Sequence, residues 1–132
     1  MDEVLAFLKK NPTYYLGTVD GTTPQVRPFG TICEYEGQLY IQTGRVKKVF
    51  KEIEANPAIT ICGFDAEAGT WLRVNATAAI SADIKAEEKM LSEYPSLQKM
   101  YQPGDGNTVV IALTNATARF CSFTAPERVV EF

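Results

Sequence analysis

The stretch YEGQLYIQTGRVKKVFKEI, residues 35–53, passes directly from an extended segment into a helix. Its first half is rich in β-forming residues and follows a break at Glu36-Gly37, which predicts a hairpin turn and a strand. Its second half has apolar residues at i, i+3, i+4 and i+7, which predicts an amphipathic helix that ends at Asn56-Pro57. The residues with this helical spacing are Val46, Val49, Phe50 and Ile53.

The start of this predicted helix is unusually basic, since Arg45, Lys47 and Lys48 all lie there. The helix dipole disfavours cations at this end by about 0.3–1 kcal/mol each. A bound phosphate reverses that sign, because free N–H groups at a helix start attract anions and each charge-assisted hydrogen bond contributes roughly 1.5–3 kcal/mol. Thr43 supplies a hydroxyl and Gly44 allows close approach of the backbone. The pattern predicts a phosphate site, with a solvated basic face as the alternative.

A second candidate element, QVRPFG, occupies residues 25–30. Arg27 lies mid-strand, where a guanidinium needs an acceptor. Pro28 has no N–H to donate to a neighbouring strand, which places this strand at an edge, at a bulge or beside a ligand. The alternative for Arg27 is an ion pair with one of the carboxylates of the chain. The strand arginine and the basic helix start together form a more specific pattern than either does alone.

The rest of the chain predicts short strands joined by tight turns. An opening helix is expected, capped by Asp2 and stopped before Asn11-Pro12. The Asp20-Gly21 pair predicts a hairpin, and a helical region from Ala82 to Met100 is expected to break or kink at Pro95. Further strands are expected at 58–65, 70–81 and 108–123, the last of them bent near Thr114-Asn115, with a tail that forms another short strand or an arm across a partner.

The strand count predicts one antiparallel barrel. About six strands with two or three helices in 132 residues, without a linker or repeat, indicate a single α+β domain over residues 1–132. The three cysteines each lie in a strand-like run and are expected as buried free thiols, with a disulfide or a reactive thiol as the alternative: Cys33, Cys62 and Cys121.

Composition excludes several classes of function. The net charge of −3 and the lack of a basic stripe argue against nucleic-acid and anionic-membrane binding. The first twelve residues contain too short an apolar run for a signal peptide or membrane span, so a cytoplasmic location is expected. With no histidine, the chain has no Ser-His-Asp or Cys-His pair, and histidine-ligated metal sites are excluded. No metal is expected and no catalytic side chain is predicted, so an organic cofactor is the expected source of any chemistry.

Several short motifs, in this order, resemble one family: RPFG, YEGQLYIQT, Lys47 with FKEIEANP, and WLRV. They are similar to the FMN-binding split-barrel family typified by pyridoxamine 5'-phosphate oxidase, and especially to its short stand-alone bacterial members. The resemblance implies a mainly β, α+β fold, a six-stranded antiparallel split barrel with flanking helices. It also implies a homodimer with FMN at the subunit interface, in keeping with the small lumen of such a barrel.

The resemblance also implies roles for individual residues. Arg27 and Lys47 would bind the FMN phosphate with help from Thr43, and Lys48 is a further candidate. Three other residues would lie near the flavin ring, the last of them contributed by the other subunit: Pro28, Phe29 and Trp71. An ordinary core or interface aromatic is the alternative for Trp71.

Departures from the family pattern limit the activity that the resemblance implies. The chain ends in ERVVEF and has no histidine, so oxidation of pyridoxamine 5'-phosphate is not implied, and haem degradation is disfavoured. The leading hypothesis is an oxidoreductase that passes electrons from a reduced nicotinamide through FMN to a small acceptor. One alternative is a non-catalytic FMN-binding protein for electron transfer or flavin storage. Another is a split barrel that binds a deazaflavin, a nucleotide or another phosphate ligand.

Overall fold

A computed structural model describes all 132 residues of the chain. The helices are α1 (Asp2–Lys10), α2 (Lys48–Ala55) and α3 (Ile84–Glu93), and a short 3₁₀ helix (Pro95–Lys99) follows α3. The strands are β1 (Tyr14–Asp20), β2 (Thr23–Phe29), β3 (Cys33–Tyr35), β4 (Gln38–Gly44), β5 (Ala58–Asp65), β6 (Thr70–Ser81), β7 (Thr108–Ser122) and β8 (Arg128–Glu131). None of the helices combines the length and the apolar character that crossing a membrane requires.

All strands belong to one antiparallel sheet with the order β2-β1-β5-β6-β7-β4-β3, and β8 pairs with β7. Its two ends, β2 and β3, do not pair with each other, so the barrel is split. This confirms the predicted fold class. The structure has eight strands where about six were expected. One additional strand arises because the chain leaves β2 at Gly30 and crosses to β3 at the opposite edge. The other arises because the tail forms β8.

Both predicted hairpin turns are present. In the β3–β4 hairpin, Glu36 and Gly37 both have positive φ, 49° and 78°, which is the backbone of a type I′ turn. In the β1–β2 hairpin, Asp20 pairs with Thr23 across a two-residue loop. The predicted bend of β7 is confirmed as well, since Asn115 has φ 46° and the β6–β7 register shifts opposite it.

Helix α2 covers the inner face of the sheet beside β1 and β4 and begins later than its apolar spacing predicts. Val49, Phe50 and Ile53 are buried as expected, but Val46 is 78% exposed and precedes the helix. The reason is the extended backbone of Lys47, φ −74° and ψ 147°, which makes this residue the N-cap. The helical period therefore holds from residue 49 onward and does not include Val46.

Three further expectations need correction or qualification. Asp2 lies inside the first turn of α1, and Met1 occupies the N-cap position without a side-chain hydrogen bond. All three cysteines are free, but only Cys33 is buried, whereas Cys62 is exposed because it points outward from β5. Helix α3 ends just before Pro95, as predicted, and the chain continues as the 3₁₀ helix.

Candidate functional site

A cavity of about 310 Å³ lies where strand β2 leaves the sheet edge, near the end of β4, the start of α2 and the 3₁₀ helix. This volume is at the lower end of the range for small-molecule sites. Five of the seven residues predicted to bind the cofactor line it: Arg27, Pro28, Phe29, Thr43 and Lys47. Pro28 is on an edge strand, one of the positions expected from its missing N–H.

The start of α2 provides positive potential at this cavity. The helix has no side-chain cap, and the backbone N–H groups of Lys48 and Val49 have no acceptor within the protein. Lys47 lines the cavity with an exposed side chain that forms no ion pair with the protein. Free N–H groups beside an unpaired ammonium are the donors that a phosphate or another anion requires.

At the end of β4, Thr43 and Gly44 lie where the sequence predicts them, but Gly44 has a different neighbour. Thr43 is buried to 5% exposure and lines the cavity. A Cβ added to Gly44 would lie 2.9 Å from the Tyr101 hydroxyl oxygen, a separation that packed atoms do not tolerate. The close approach that this glycine permits is therefore to the ring of Tyr101, which itself lines the cavity.

Arg27 is held by groups of the protein on the inner side of the sheet. Its Nη2 donates to Glu52 Oε1 at 2.6 Å, and its Nη1 donates to Thr18 Oγ1 at 2.8 Å and to the Leu16 carbonyl at 3.1 Å. Thr18 Oγ1 also donates to Glu52 Oε1 at 2.6 Å. The alternative considered for Arg27, an ion pair with a carboxylate, is therefore present, and the same arginine also lines the cavity.

The pair Glu52 and Glu54 is typical of a solvated helix face, but Glu52 does not lie on one. Its residue exposure is 5%, because it lies on the inner side of α2, whereas Glu54 is exposed. The hydrogen bond from Thr18, together with that from Arg27, lowers the pKa of the Glu52 carboxyl. Glu87 is likewise buried and accepts a hydrogen bond from the Gly104 N–H at 2.9 Å. Both buried carboxylates thus accept hydrogen bonds from residues that are distant in the sequence.

Comparison with known proteins supports the resemblance. The family model described as pyridoxamine 5'-phosphate oxidase matches residues 1–122. This chain belongs to that family. A search of curated proteins found no match.

Among solved structures, a NimC/NimA family protein from Clostridium acetobutylicum is similar at 36% identity and a TM-score of 0.95. The match covers 100% of this chain and 92% of that one. General Stress Protein 26 from Bacillus anthracis str. Sterne follows at 20% identity and a TM-score of 0.79, covering 99% and 97% of the two chains. A FAD-binding protein from Mesorhizobium loti has 18% identity and a TM-score of 0.61, covering 91% and 94%. The last two show a shared fold.

Two of the residues suggested by the likeness to the pyridoxamine 5'-phosphate oxidase family lie away from the cavity. Lys48 is exposed at the start of α2, with its ammonium 3.5 Å from Asp20 Oδ2. Trp71 points outward from β6, opposite Phe64 in the register, and its ring centroid lies 5.0 Å from that of Phe123. Within one chain, Lys48 and Trp71 therefore do not line the cavity that the other five predicted residues share.

The 3₁₀ helix adds cavity residues that the sequence reasoning missed. Leu97 and Met100 line the cavity together with Tyr101, which follows them. The break at Pro95 turns this segment back across the cavity, and Tyr101 donates its backbone N–H to the Leu97 carbonyl at 2.9 Å. Only the position of Pro95 signalled the change of direction, and nothing in the local pattern indicated what the segment would cover.

Proposed function

We propose that this protein binds FMN and acts as an oxidoreductase that passes electrons from a reduced nicotinamide to a small acceptor. The observation that carries the proposal is the convergence of Arg27, Pro28, Phe29, Thr43 and Lys47 on one cavity. These residues come from β2 and β4, which are far apart in the sheet order, and from the start of α2. Membership of the pyridoxamine 5'-phosphate oxidase family supports the same proposal.

The residues present fit the phosphate end of FMN. Lys47 would supply an ammonium, the start of α2 would supply the N–H groups of Lys48 and Val49, and Thr43 would supply a hydroxyl. Arg27 would add its remaining N–H groups from the opposite wall. Pro28 and Phe29 follow Arg27 on β2, line the same cavity and would form the surface beside the flavin ring.

When bound, FMN would supply the redox chemistry, and the chain would bind, orient and shield it. Leu97, Met100 and Tyr101 form an apolar and aromatic wall that would limit the access of water to the cavity. No protein acid or base is assigned to the reaction. The hypothesis of a non-catalytic flavin carrier uses the same binding residues and differs only in turnover.

We infer further that a second copy of the chain covers the outer face of the sheet. Tyr15, Val26 and Phe64 are exposed there by 50%, 69% and 52%. Val26 also lines a groove of about 560 Å³, together with Gly17 and Thr60. Exposed apolar side chains on a continuous face are typical of a protein interface, and Trp71 points outward on this sheet as well.

The first test is the absorbance spectrum of the purified protein after addition of FMN and desalting. Retained flavin bands are expected, followed by turnover with NADH or NADPH and an electron acceptor. Bound flavin without turnover would support the non-catalytic alternative. Loss of all flavin would overturn the proposal and direct the search to a deazaflavin or nucleotide.

The test of the phosphate contact is Lys47→Ala. Loss of one charge-assisted contact of about 1.5–3 kcal/mol corresponds to a 10–150-fold weaker binding of FMN. Lys51→Ala is the matched control, because Lys51 lies on the exposed side of the same helix and does not line the cavity. Equal affinities of the two variants would remove Lys47 from the site.

Sedimentation equilibrium tests the dimer. The wild type should sediment as a dimer, and Val26→Glu should weaken the association because it places a charge on the apolar face. A wild-type monomer that still retains FMN would contradict the inferred interface while leaving the flavin site intact.

A further inference from the structure

We propose that Glu52 is the positioning residue for phosphate recognition, holding the Arg27 guanidinium so that its free N–H groups face the cavity. The inference rests on the proposed FMN site and adds a residue that contacts no ligand itself. Glu52 does not line the cavity, and its effect on the ligand would be transmitted through Arg27.

The contacts form a closed triangle. Thr18 donates to Glu52, and Arg27 donates to both of them, at distances of 2.6–2.8 Å. Each member therefore contacts the other two, and the three come from β1, β2 and α2. A guanidinium held at three acceptors, two on β1 and one on α2, has little rotational freedom, which is the condition for precise placement of its remaining donors.

The donor count leaves a part of Arg27 for a ligand. A guanidinium carries five N–H donors, and three are used by Glu52, Thr18 and the Leu16 carbonyl, which leaves two. The side chain is 24% exposed, while that of Glu52 is 4% exposed. The bonded edge of the guanidinium therefore faces the buried carboxylate, and the rest of the group is open towards the cavity that Arg27 lines.

The position of Glu52 in α2 connects this triangle to the second cation. Lys47 is the N-cap of α2, and Glu52 lies on the buried side of the same helix. One short helix thus supplies the unpaired ammonium at the cavity and fixes the guanidinium on the facing strand. Because Arg27 and Glu52 neutralise each other, Lys47 is the single uncompensated charge among the cavity residues.

The experiment compares FMN with riboflavin, which lacks the phosphate, through quenching of flavin fluorescence. The dissociation constant of riboflavin divided by that of FMN gives the preference for FMN and measures phosphate recognition alone. A general disturbance of the fold weakens the binding of both ligands together and leaves this ratio unchanged. Glu52→Gln is expected to reduce the preference for FMN about tenfold or more, which is the size of effect found when a residue that orients a metal ligand is replaced. The affinity for riboflavin should stay within about threefold of the wild type. Glu54→Gln, an exposed carboxylate on the same helix, should leave the preference unchanged.

A second pair of variants separates positioning from folding. Thr18→Val removes the hydroxyl that contacts both Arg27 and Glu52 at nearly constant volume, and it should also lower the preference for FMN. Adding Glu52→Gln to Arg27→Gln should produce no further loss, because Glu52 is inferred to act only through Arg27.

Three results would overturn the inference. These are an unchanged ratio in both Glu52→Gln and Thr18→Val, a stronger preference for FMN in Glu52→Gln, and a full additional loss in the double variant. A wild-type protein that binds neither flavin would reject the proposed function itself. Flavin binding with an unchanged ratio would reject only the role of Glu52.

Discussion

Replacement of Gly44 by alanine should destabilise the protein and disturb the cavity at once. The added Cβ would lie 2.9 Å from the Tyr101 hydroxyl oxygen, 3.2 Å from Tyr101 Cε1 and 3.3 Å from Asn107 Oδ1. Gly44 has no room to retreat, because it pairs with Thr108 in the sheet and the next residue, Arg45, donates its N–H to the Asn107 carbonyl at 2.7 Å. Tyr101 is only 8% exposed, and its ring must move to relieve the contact.

Overpacking of this kind costs about 1–3 kcal/mol. For a domain of this size, that cost corresponds to a fall of about 4–12 °C in the unfolding midpoint. Thermal unfolding followed by circular dichroism measures the shift, and FMN titration should show weaker binding because Tyr101 lines the cavity.

Two further variants decide whether the contact with Tyr101 is the cause. In a Tyr101→Phe background the 2.9 Å contact disappears, so Gly44→Ala should cost clearly less than it does in the wild type. Gly30→Ala is the matched control: it lines the same cavity, but its added Cβ would meet only the Pro12 carbonyl oxygen, at 3.7 Å. An unchanged midpoint for Gly44→Ala, or the same loss with and without the Tyr101 hydroxyl, would refute the reasoning.

Two other predictions follow from titratable groups. Backbone N–H groups of Thr108, Gln102 and Asn107 lower the pKa of Asp105 to about 2. Its contribution to stability is thus complete above about pH 4 and lost as the pH falls towards 2. Asp105→Asn should lower the urea midpoint at pH 7, with a difference from wild type that shrinks between pH 4 and pH 2; a constant difference would contradict this. Burial raises the pKa of Cys33 to about 12, so a thiol reagent at pH 8 should label Cys33 only after unfolding. Peptide mapping must read this residue alone, because Cys62 is exposed and reacts in the native protein; rapid labelling of Cys33 itself would contradict the prediction.

The local signals in the sequence were sufficient for much of the fold. The Glu36-Gly37 turn was predictable because Gly37 readily adopts the positive φ that the turn requires. The break at Pro95 and the edge position of Pro28 were predictable because proline lacks an N–H. Each of these signals depends on the chemistry of one or two residues and needs no knowledge of distant partners.

The parts that were missed depend on tertiary contacts. The burial of Glu52 could not be inferred from α2 alone, because Thr18 and Arg27, which compensate its charge, lie 34 and 25 residues away. Val46 continues the apolar period, but the extended backbone of Lys47 separates it from the helix. Tyr101 enters the cavity only because the chain folds back after Pro95. A sequence pattern records the preference of a segment and contains little information on what packs against it.

The three cations at the start of α2 now divide into two kinds. Arg45 donates from Nε to the Gly106 carbonyl at 2.9 Å and places its guanidinium 4.9 Å from the centre of the Phe50 ring. Lys48 lies 3.5 Å from a carboxylate oxygen of Asp20. Contacts within the chain therefore account for two of the three charges that the helix dipole disfavours. Lys47 has no such partner and lies at the cavity, so a phosphate bound there would be held by this one ammonium and by the uncapped N–H groups beside it.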